Sequence, residues 1–478
     1  MNRREFLGVA AAGALDAAPV APPNIVFILA DDFGYGDLAC QNPQSRIPTP
    51  NLDRLAGQGV RFTDAHSPSA VCTPTRYGVL TGRYCWRSRL KSGVLWGFSP
   101  NLIEPGRATV ASVLKSRGYA TGGVGKWHLG LGNQEKTDYA RPLRPGPVDH
   151  GFDYYYGIPA SLDMEPYVYF ENDRTVEQPT ASTPGKNDDG VFWRGGPMAP
   201  SFQFDQVLNT LTGKATDFIR RNAKRPFFLY FPLTGPHTPW VPRKEFQGRS
   251  KAGIYGDFVA EVDWTVGEVM KALDAAGVAK NTLLMFTSDN GPERYAYERI
   301  PRFNHYSMGD LRGVKRDAWE GGHRVPFLAR WPGRVRAGTT CAETICLTDL
   351  MATAAAAAGA KVPANAGEDS YNILPAILGE KLAKPIREAT VHHTSNGQFA
   401  IRQGEWVYID NPTGENSKEP EWFKKQRGYQ PHKEPFELFN LRQDLGEHRN
   451  LYPEHRDVAE KLKALLEKYK REGRSAPV

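Results

Sequence analysis

The chain has 478 residues, 40% of them hydrophobic and 24% charged, the balance of a folded globular protein and not of a disordered or fibrous one. Past the N-terminus no run is long and apolar enough to span a bilayer, so stable membrane insertion is not expected, and five cysteines are too few and too odd in number for a disulfide framework. The formal charge of +7 comes without basic runs or nucleic-acid motifs; it is read as a surface charge that favours solubility, with attraction toward a polyanion as the alternative.

In chain order, Arg3-Arg4-Glu5-Phe6-Leu7 and the small apolar run Gly8 to Leu15 resemble a twin-arginine export signal, although Asp16 interrupts the run early. Residues 1–22 are therefore read as an export signal of a bacterial periplasmic or extracellular protein and set apart from the fold. Asn24 to Ala30 is a continuous apolar, β-branched run, the pattern of a strand buried on both faces, and it ends at Asp31-Asp32. Thr49-Pro50-Asn51 opens a helical pattern through Leu52, Leu55 and Ala56. Ala108 to Arg117 reads as a helix closed by Gly118. Tyr119 to Val124 is a strand that runs into Gly125-Lys126-Trp127-His128. Met164 to Pro200 is rich in Gly, Pro, Asp and aromatics with weak periodicity, and reads as a long surface excursion of the kind that carries recognition loops.

Phe204 to Arg221 is amphipathic, Pro226 to Phe231 is a further buried strand running into Gly235-Pro236-His237, and Asp257 to Ala276 has helical spacing. Thr282 to Phe286 is a strand that ends at Ser288-Asp289-Asn290. Ala352 to Ala358 is an alanine-rich helix. Cys341 and Cys346 are near enough to pair locally, the simpler alternative being buried thiols. After about Ala383 the composition changes: Ala389–His393, Phe399–Arg402, Glu405–Ile409 and Glu437–Phe439 read as short strands, and Asp457–Lys470 as an amphipathic helix. The expected architecture is α/β with a mostly parallel sheet over residues 23–383 and a smaller α+β subdomain over residues 384–478. Four of the strands each run straight into a polar cluster, at Asp31-Asp32, at Lys126 with His128, at His237 and at Asp289-Asn290. In open α/β sheets ligands bind at the carboxyl ends of strands, so these clusters predict one site.

Those clusters stand beside Cys72-Thr73-Pro74-Thr75-Arg76 with Tyr77-Gly78-Val79-Leu80-Thr81-Gly82-Arg83, Thr49-Pro50-Asn51-Leu52-Asp53, His150-Gly151-Phe152-Asp153, Leu311-Arg312-Gly313-Val314-Lys315, Trp319-Glu320-Gly321-Gly322 and, near the end, Glu437-Leu438-Phe439-Asn440-Leu441. Together they resemble the type I, formylglycine-dependent sulfatases of the alkaline phosphatase superfamily, in the manner of arylsulfatase A, the N-acetylgalactosamine-6-sulfatases and their bacterial polysaccharide relatives, over nearly the whole chain. Thr75 departs from the usual Ser, and Val314 and Arg316 depart from the usual Gly-Lys-Gly context around Lys315.

The resemblance implies an alkaline-phosphatase-like fold and a sulfuric ester hydrolase whose Cys72 is oxidised to formylglycine by a maturation enzyme. Asp31, Asp32, Asp289 and Asn290, completed by position 72, would form a hard oxygen cage suited to Ca²⁺, with Mg²⁺ as the alternative, and unlike the His/Cys sets of Zn²⁺. Each acidic residue alone has a turn or helix cap as its ordinary reading, but two adjacent carboxylates at a strand end repel without a cation. Arg76 would hold the aldehyde hydrate, Lys126 and Lys315 would clamp sulfate oxygens, His237 with Lys315 would protonate the leaving alcohol, and His128 would take the proton of the second hydroxyl as sulfate is expelled. The substrate class is a sulfated carbohydrate. Trp96, Asp163, Glu165 and His305 are candidate sugar contacts, with surface or packing roles as the alternative. Two other readings remain: a phosphate or phosphonate ester hydrolase of the same superfamily, and a non-catalytic sulfated-glycan-binding relative. Oligomeric state is not legible.

Overall fold

A computed structural model describes residues 21–477; the export-signal expectation at residues 3–16 lies outside them. The central sheet has ten strands. Its middle is the parallel set Thr282–Ser288, Asn24–Ala30, Phe227–Pro232, Ala120–Lys126 and Tyr154–Ile158, with Phe327–Arg330 antiparallel to the first of these. Every residue of Asn24–Ala30, Phe227–Pro232 and Thr282–Ser288 is buried, as a strand covered on both faces requires. The long helices Val207–Asn222 and Gly253–Ala275 pack on each other, and Cys72–Thr81, Val110–Lys115 and Leu350–Ala358 form a second helical group flanking the sheet. Ile25, Val26, Ile28, Leu29, Phe228, Leu229 and Phe231 are all completely buried. At about 1.5–3 kcal/mol for each fully buried large apolar side chain, these strands supply a large share of the driving force for folding.

The predicted helix over 108–117 is shorter in the structure, Val110–Lys115, because Thr109 caps it: its Oγ1 accepts from Ser112 N while Ser112 Oγ accepts from Thr109 N. The excursion at 164–200 is not an open loop. It forms short two-stranded ladders, Lys186–Asp188 with Val191–Trp193 and Ala181–Thr183 with Gly196–Met198, and buries Tyr167 and Phe170. Cys341 and Cys346 are both free thiols and pair with different strands, beside Phe62 and His66 respectively.

A second, four-stranded antiparallel sheet joins Thr390–His393, Phe399–Gln403, Trp406–Ile409 and Glu437–Asn440. The helix Arg456–Glu472 closes it, inserting Leu462, Leu466 and Tyr469 against Ile401, Tyr408 and Leu438. Among the described residues no helix is long and apolar enough to cross a membrane.

Candidate active site

The parallel strands deliver their polar clusters to one edge, as their shared direction dictates. Asn24–Ala30 is followed by Asp31 and Asp32, Thr282–Ser288 by Asp289 and Asn290, and Ala120–Lys126 ends on Lys126 itself. Gly125 makes the last approach feasible: its φ is +132°, and a Cβ there would fall 1.8 Å from the Pro232 carbonyl oxygen. Cys72 is the first residue of the helix Cys72–Thr81, whose opposite end is closed by Gly82 in the left-handed region. Four residues on, Arg76 shares its helix face. The helix start is fixed by side chains of the same motif: Thr75 Oγ1 donates to Ser69 O at 3.0 Å and Thr73 Oγ1 donates to His128 O at 3.1 Å.

The charged groups interlock. Arg76 donates to Asp289 Oδ2 at 2.7 and 3.1 Å and to the Lys126 carbonyl at 3.2 Å, with Asp31 Oδ2 3.6 Å away. Lys126 Nζ donates to Asp31 Oδ2 at 2.6 Å, and Lys315 Nζ reaches the two Asp32 oxygens at 2.7 and 2.8 Å. Asn290 Nδ2 donates to Asp32 Oδ1 at 2.7 Å, and His237 Nε2 lies 3.7 Å from Asp32 Oδ2. Asp31, Asp32, Asp289, Asn290, Arg76, Lys126 and His128 are at most 1% exposed.

Electrostatics follow from this burial. Burial raises the Asp31 carboxyl, but the charges of Lys126, His237, Arg76 and Lys315 outweigh it and hold the group well below the usual carboxylate range. Asp289 goes the other way, pushed up to about 6 by burial and then by the Asp31 charge, against the pull of Arg76. Burial also pushes the Cys72 thiol up, so unmodified Cys72 is a poor source of thiolate. His128 is held well below the ordinary imidazole value by burial and by the Lys126 and Arg76 charges, and is neutral. Its Nε2 donates to Leu95 O at 2.7 Å, which leaves Nδ1 as a free lone pair with no partner among the described residues.

In the acidic cluster Asp31 Oδ1 and Asn290 Oδ1 are also buried and without a partner among the described residues. Buried oxygen acceptors without donors, beside a second carboxylate from Asp32, fit a hard divalent cation.

A cavity of about 580 Å³ reaches Cys72, His237 and Lys315, so these three sequence-predicted residues face substrate space while the other seven form its buried support. Trp96 and Asp163, two of the four candidate sugar contacts, also line the cavity. His305 does not: it is fully buried, bonded to Asp37 Oδ1 through Nε2 at 2.7 Å and accepting from Arg46 N, which makes it part of the scaffold under the Asp31-Asp32 loop. Glu165 is likewise absent from the lining, its side chain packed over Gly196. The sequence reading missed Arg194, Glu293 and the Asn416-Ser417-Lys418 segment of the C-terminal sheet region, all of which line the cavity. Arg194 lies over the Trp96 ring at 4.8 Å and pairs with Asp163 at 2.5 Å. Glu293 was signalled only by its place three residues after Asn290. A larger cavity of about 1350 Å³, between Arg387, Arg402 and the C-terminal residues 468–477, contains none of the converging groups.

The family model described as Sulfatase matches residues 23–360. The chain is 37% identical to an N-acetylgalactosamine-6-O-sulfatase of Bacteroides thetaiotaomicron, over 94% of this chain and 93% of that protein. It is 35% identical to human arylsulfatase A, over 94% of this chain and 86% of that one. A solved 6S-sulfatase of Bacteroides thetaiotaomicron, described in work on the metabolism of multiple glycosaminoglycans, superposes with a TM-score of 0.84 at 35% identity, covering 94% of this chain and 99% of that chain.

Proposed function

The chain belongs to the sulfatase family, and we propose that it removes sulfate from a sulfated carbohydrate, in the class of N-acetylgalactosamine 6-sulfate, with position 72 as the nucleophile. The observation that supports this most is the convergence on one buried edge of Cys72 at a helix start, two lysines, one arginine and four oxygen donors. The three cations and three carboxylates balance, so with a divalent cation among the oxygens the cluster carries net positive charge and suits an anion.

In this reading a formylglycine-generating maturation enzyme converts Cys72 to an aldehyde, whose hydrate offers one hydroxyl to attack sulfur and a second whose deprotonation expels sulfate and restores the aldehyde. Asp31, Asp32, Asp289 and Asn290, with residue 72, would hold a divalent cation, Ca²⁺ by the hardness of the donor set, and that cation would supply positive charge against the sulfate oxygens. Arg76 orients residue 72 through its place one turn along the same helix and balances the charge of Asp289. Lys126 and Lys315 supply fixed positive charge to the sulfate, and the N-terminal end of the helix Cys72–Thr81 adds its partial charge. His237, on the cavity wall, donates a proton to the departing sugar oxygen, with Lys315 beside it. His128, neutral and with Nδ1 free, accepts the proton that is lost when sulfate leaves.

Trp96, 48% exposed on the cavity wall and backed by Arg194, offers a face for a sugar ring. Residues 23–383 carry the reacting groups and residues 384–478 contribute rim through Asn416–Lys418. Export is part of the proposal and is supported by the Arg3–Leu7 motif alone.

The test is sulfate release from sulfated monosaccharides and disaccharides, with an aryl sulfate and an aryl phosphate as controls, by wild type and Cys72→Ala after co-expression with the maturation enzyme. Sulfate release by wild type alone is expected. Preference for the phosphate, or equal activity in Cys72→Ala, would overturn the proposal.

A further inference from the structure

Arg316 occupies a backbone conformation that penalises any residue with a Cβ: its φ is +86°. Arg316 therefore holds its side chain at a strained position. The loop is fixed from both sides, by Arg316 N donating to Ala70 O at 2.9 Å, two residues before Cys72, and by Lys315 N donating to Pro292 O at 2.9 Å. The guanidinium makes a parallel two-pronged pair with Glu293, Nη1 to Oε1 at 2.7 Å and Nη2 to Oε2 at 2.8 Å. Glu293 is 9% exposed, lines the same cavity as Cys72, and brings Oε2 to 3.9 Å from Lys315 Nζ. Burial raises the Glu293 carboxyl, but Arg316 and Lys315 outweigh it and keep the group ionised.

A buried carboxylate in the wall of a pocket that receives a sulfate is a liability. It repels the substrate, and it competes with the sulfate for the Lys315 ammonium. We propose that Arg316 is a positioning residue of the desulfation reaction: by neutralising Glu293 it keeps Lys315 directed at the sulfate and keeps net negative charge out of the anion pocket. The inference rests on the sulfatase reading above. Arg316 lines the cavity beside Glu293 with both terminal nitrogens of its guanidinium bonded to that carboxylate, so its charge is spent first on the pair, and the double variant below separates action through the pair from contact with the substrate. Arg316 is then the counter-charge for the glutamate three residues after Asn290.

The experiment compares wild type, Arg316→Gly, Arg316→Lys and the double variant Arg316→Gly/Glu293→Gln in steady-state hydrolysis of one sulfated sugar, with thermal melts of each. Arg316→Gly is expected to lower kcat/KM by about 10- to 100-fold, mainly through KM, because an uncompensated carboxylate repels the sulfate in ground and transition state alike. Arg316→Lys, which keeps the charge without the fork, should fall between Arg316→Gly and wild type. The double variant should recover to within about threefold of wild type, since removing the carboxylate removes the need for its partner. Full activity in Arg316→Gly would overturn the inference, as would a double variant as impaired as Arg316→Gly, which would mean that Arg316 meets the substrate itself. Wild-type activity is read first; if no sulfate ester is cleaved, the reading of the whole site fails and this inference fails with it.

Discussion

The ammonium of Lys126 lies 2.6 Å from Oδ2 of Asp31, and both side chains are completely buried. A pair of this kind is held by mutual compensation, and removing one member leaves a charge without water or counterion. Lys126→Met is therefore expected to lower stability by about 3–5 kcal/mol, less if a divalent cation is present to take up the freed Asp31 charge. Because the proposed reaction uses the same buried ammonium as fixed positive charge toward the sulfate, kcat/KM should fall by about 10³-fold, in the range found for loss of one preorganised electrostatic group. Chemical denaturation with and without Ca²⁺, alongside kinetics, checks both parts.

Asp31 Oδ1 and Asn290 Oδ1, buried and without donors, predict that a hard cation stabilises the fold. Adding Ca²⁺ to chelator-treated protein should raise Tm, with about 2.7 kcal/mol gained at a concentration one hundred times the Kd. Asp32→Asn should abolish that gain. Differential scanning fluorimetry across a Ca²⁺ series decides it, and a Tm indifferent to Ca²⁺ would remove the cation from the account.

Trp96 stands 48% exposed on the cavity wall with Arg194 4.8 Å from its ring. If a sugar stacks there, Trp96→Ala should raise KM for a sulfated disaccharide about tenfold, in line with roughly 1–1.5 kcal/mol for an aromatic contact. KM for a small aryl sulfate should change less. Equal effects on both substrates would mean that Trp96 shapes the pocket without contacting sugar.

His323 and His392 stack face to face at 3.7 Å with His66 Nδ1 3.1 Å from His323 Nδ1, on the face of the four-stranded sheet that carries His392. Burial, against the pull of Glu320, takes the His323 imidazole from 6.5 down to about 3, and His392 is held well below its ordinary value by burial and by His323. Between pH 6.5 and 3 the unfolded chain binds protons that the folded chain refuses, so stability rises with pH across this window and is lost on acidification. For His323 the full effect is about 5 kcal/mol, because each pH unit between its unfolded and folded values carries about 1.36 kcal/mol. Tm should therefore fall steeply from pH 6.5 to 4, and His323→Gln should flatten that slope.

Much of the site was legible because chain direction did the geometric work. Once Asn24–Ala30, Ala120–Lys126 and Thr282–Ser288 are parallel, Asp31, Lys126 and Asp289 must emerge at one edge, and each strand is marked by an unbroken apolar run. The helix at Cys72 added Arg76 by its four-residue spacing. What could not be read is what depends on side chains meeting across the chain. His66 lies far along the chain from His323 and His392, and only folding brings the three rings together. Arg194 reaches the cavity because the 164–200 excursion folds back as β-ladders, a result of weakly periodic sequence that the pattern cannot reveal. His305 illustrates the converse: a histidine near polar motifs suggested a sugar contact, whereas its bond to Asp37 makes it structural. Arg316 was visible as a departure from a glycine, but its meaning required the position of Glu293.

The central claim is that position 72 works as an aldehyde and not as a thiol. It is tested most directly by mass spectrometry of the tryptic peptide Phe62–Arg76 from active protein co-expressed with a formylglycine-generating enzyme. The expected result is the aldehyde at position 72, in a fraction that rises in step with specific sulfatase activity. An intact Cys72 thiol in fully active enzyme would contradict it.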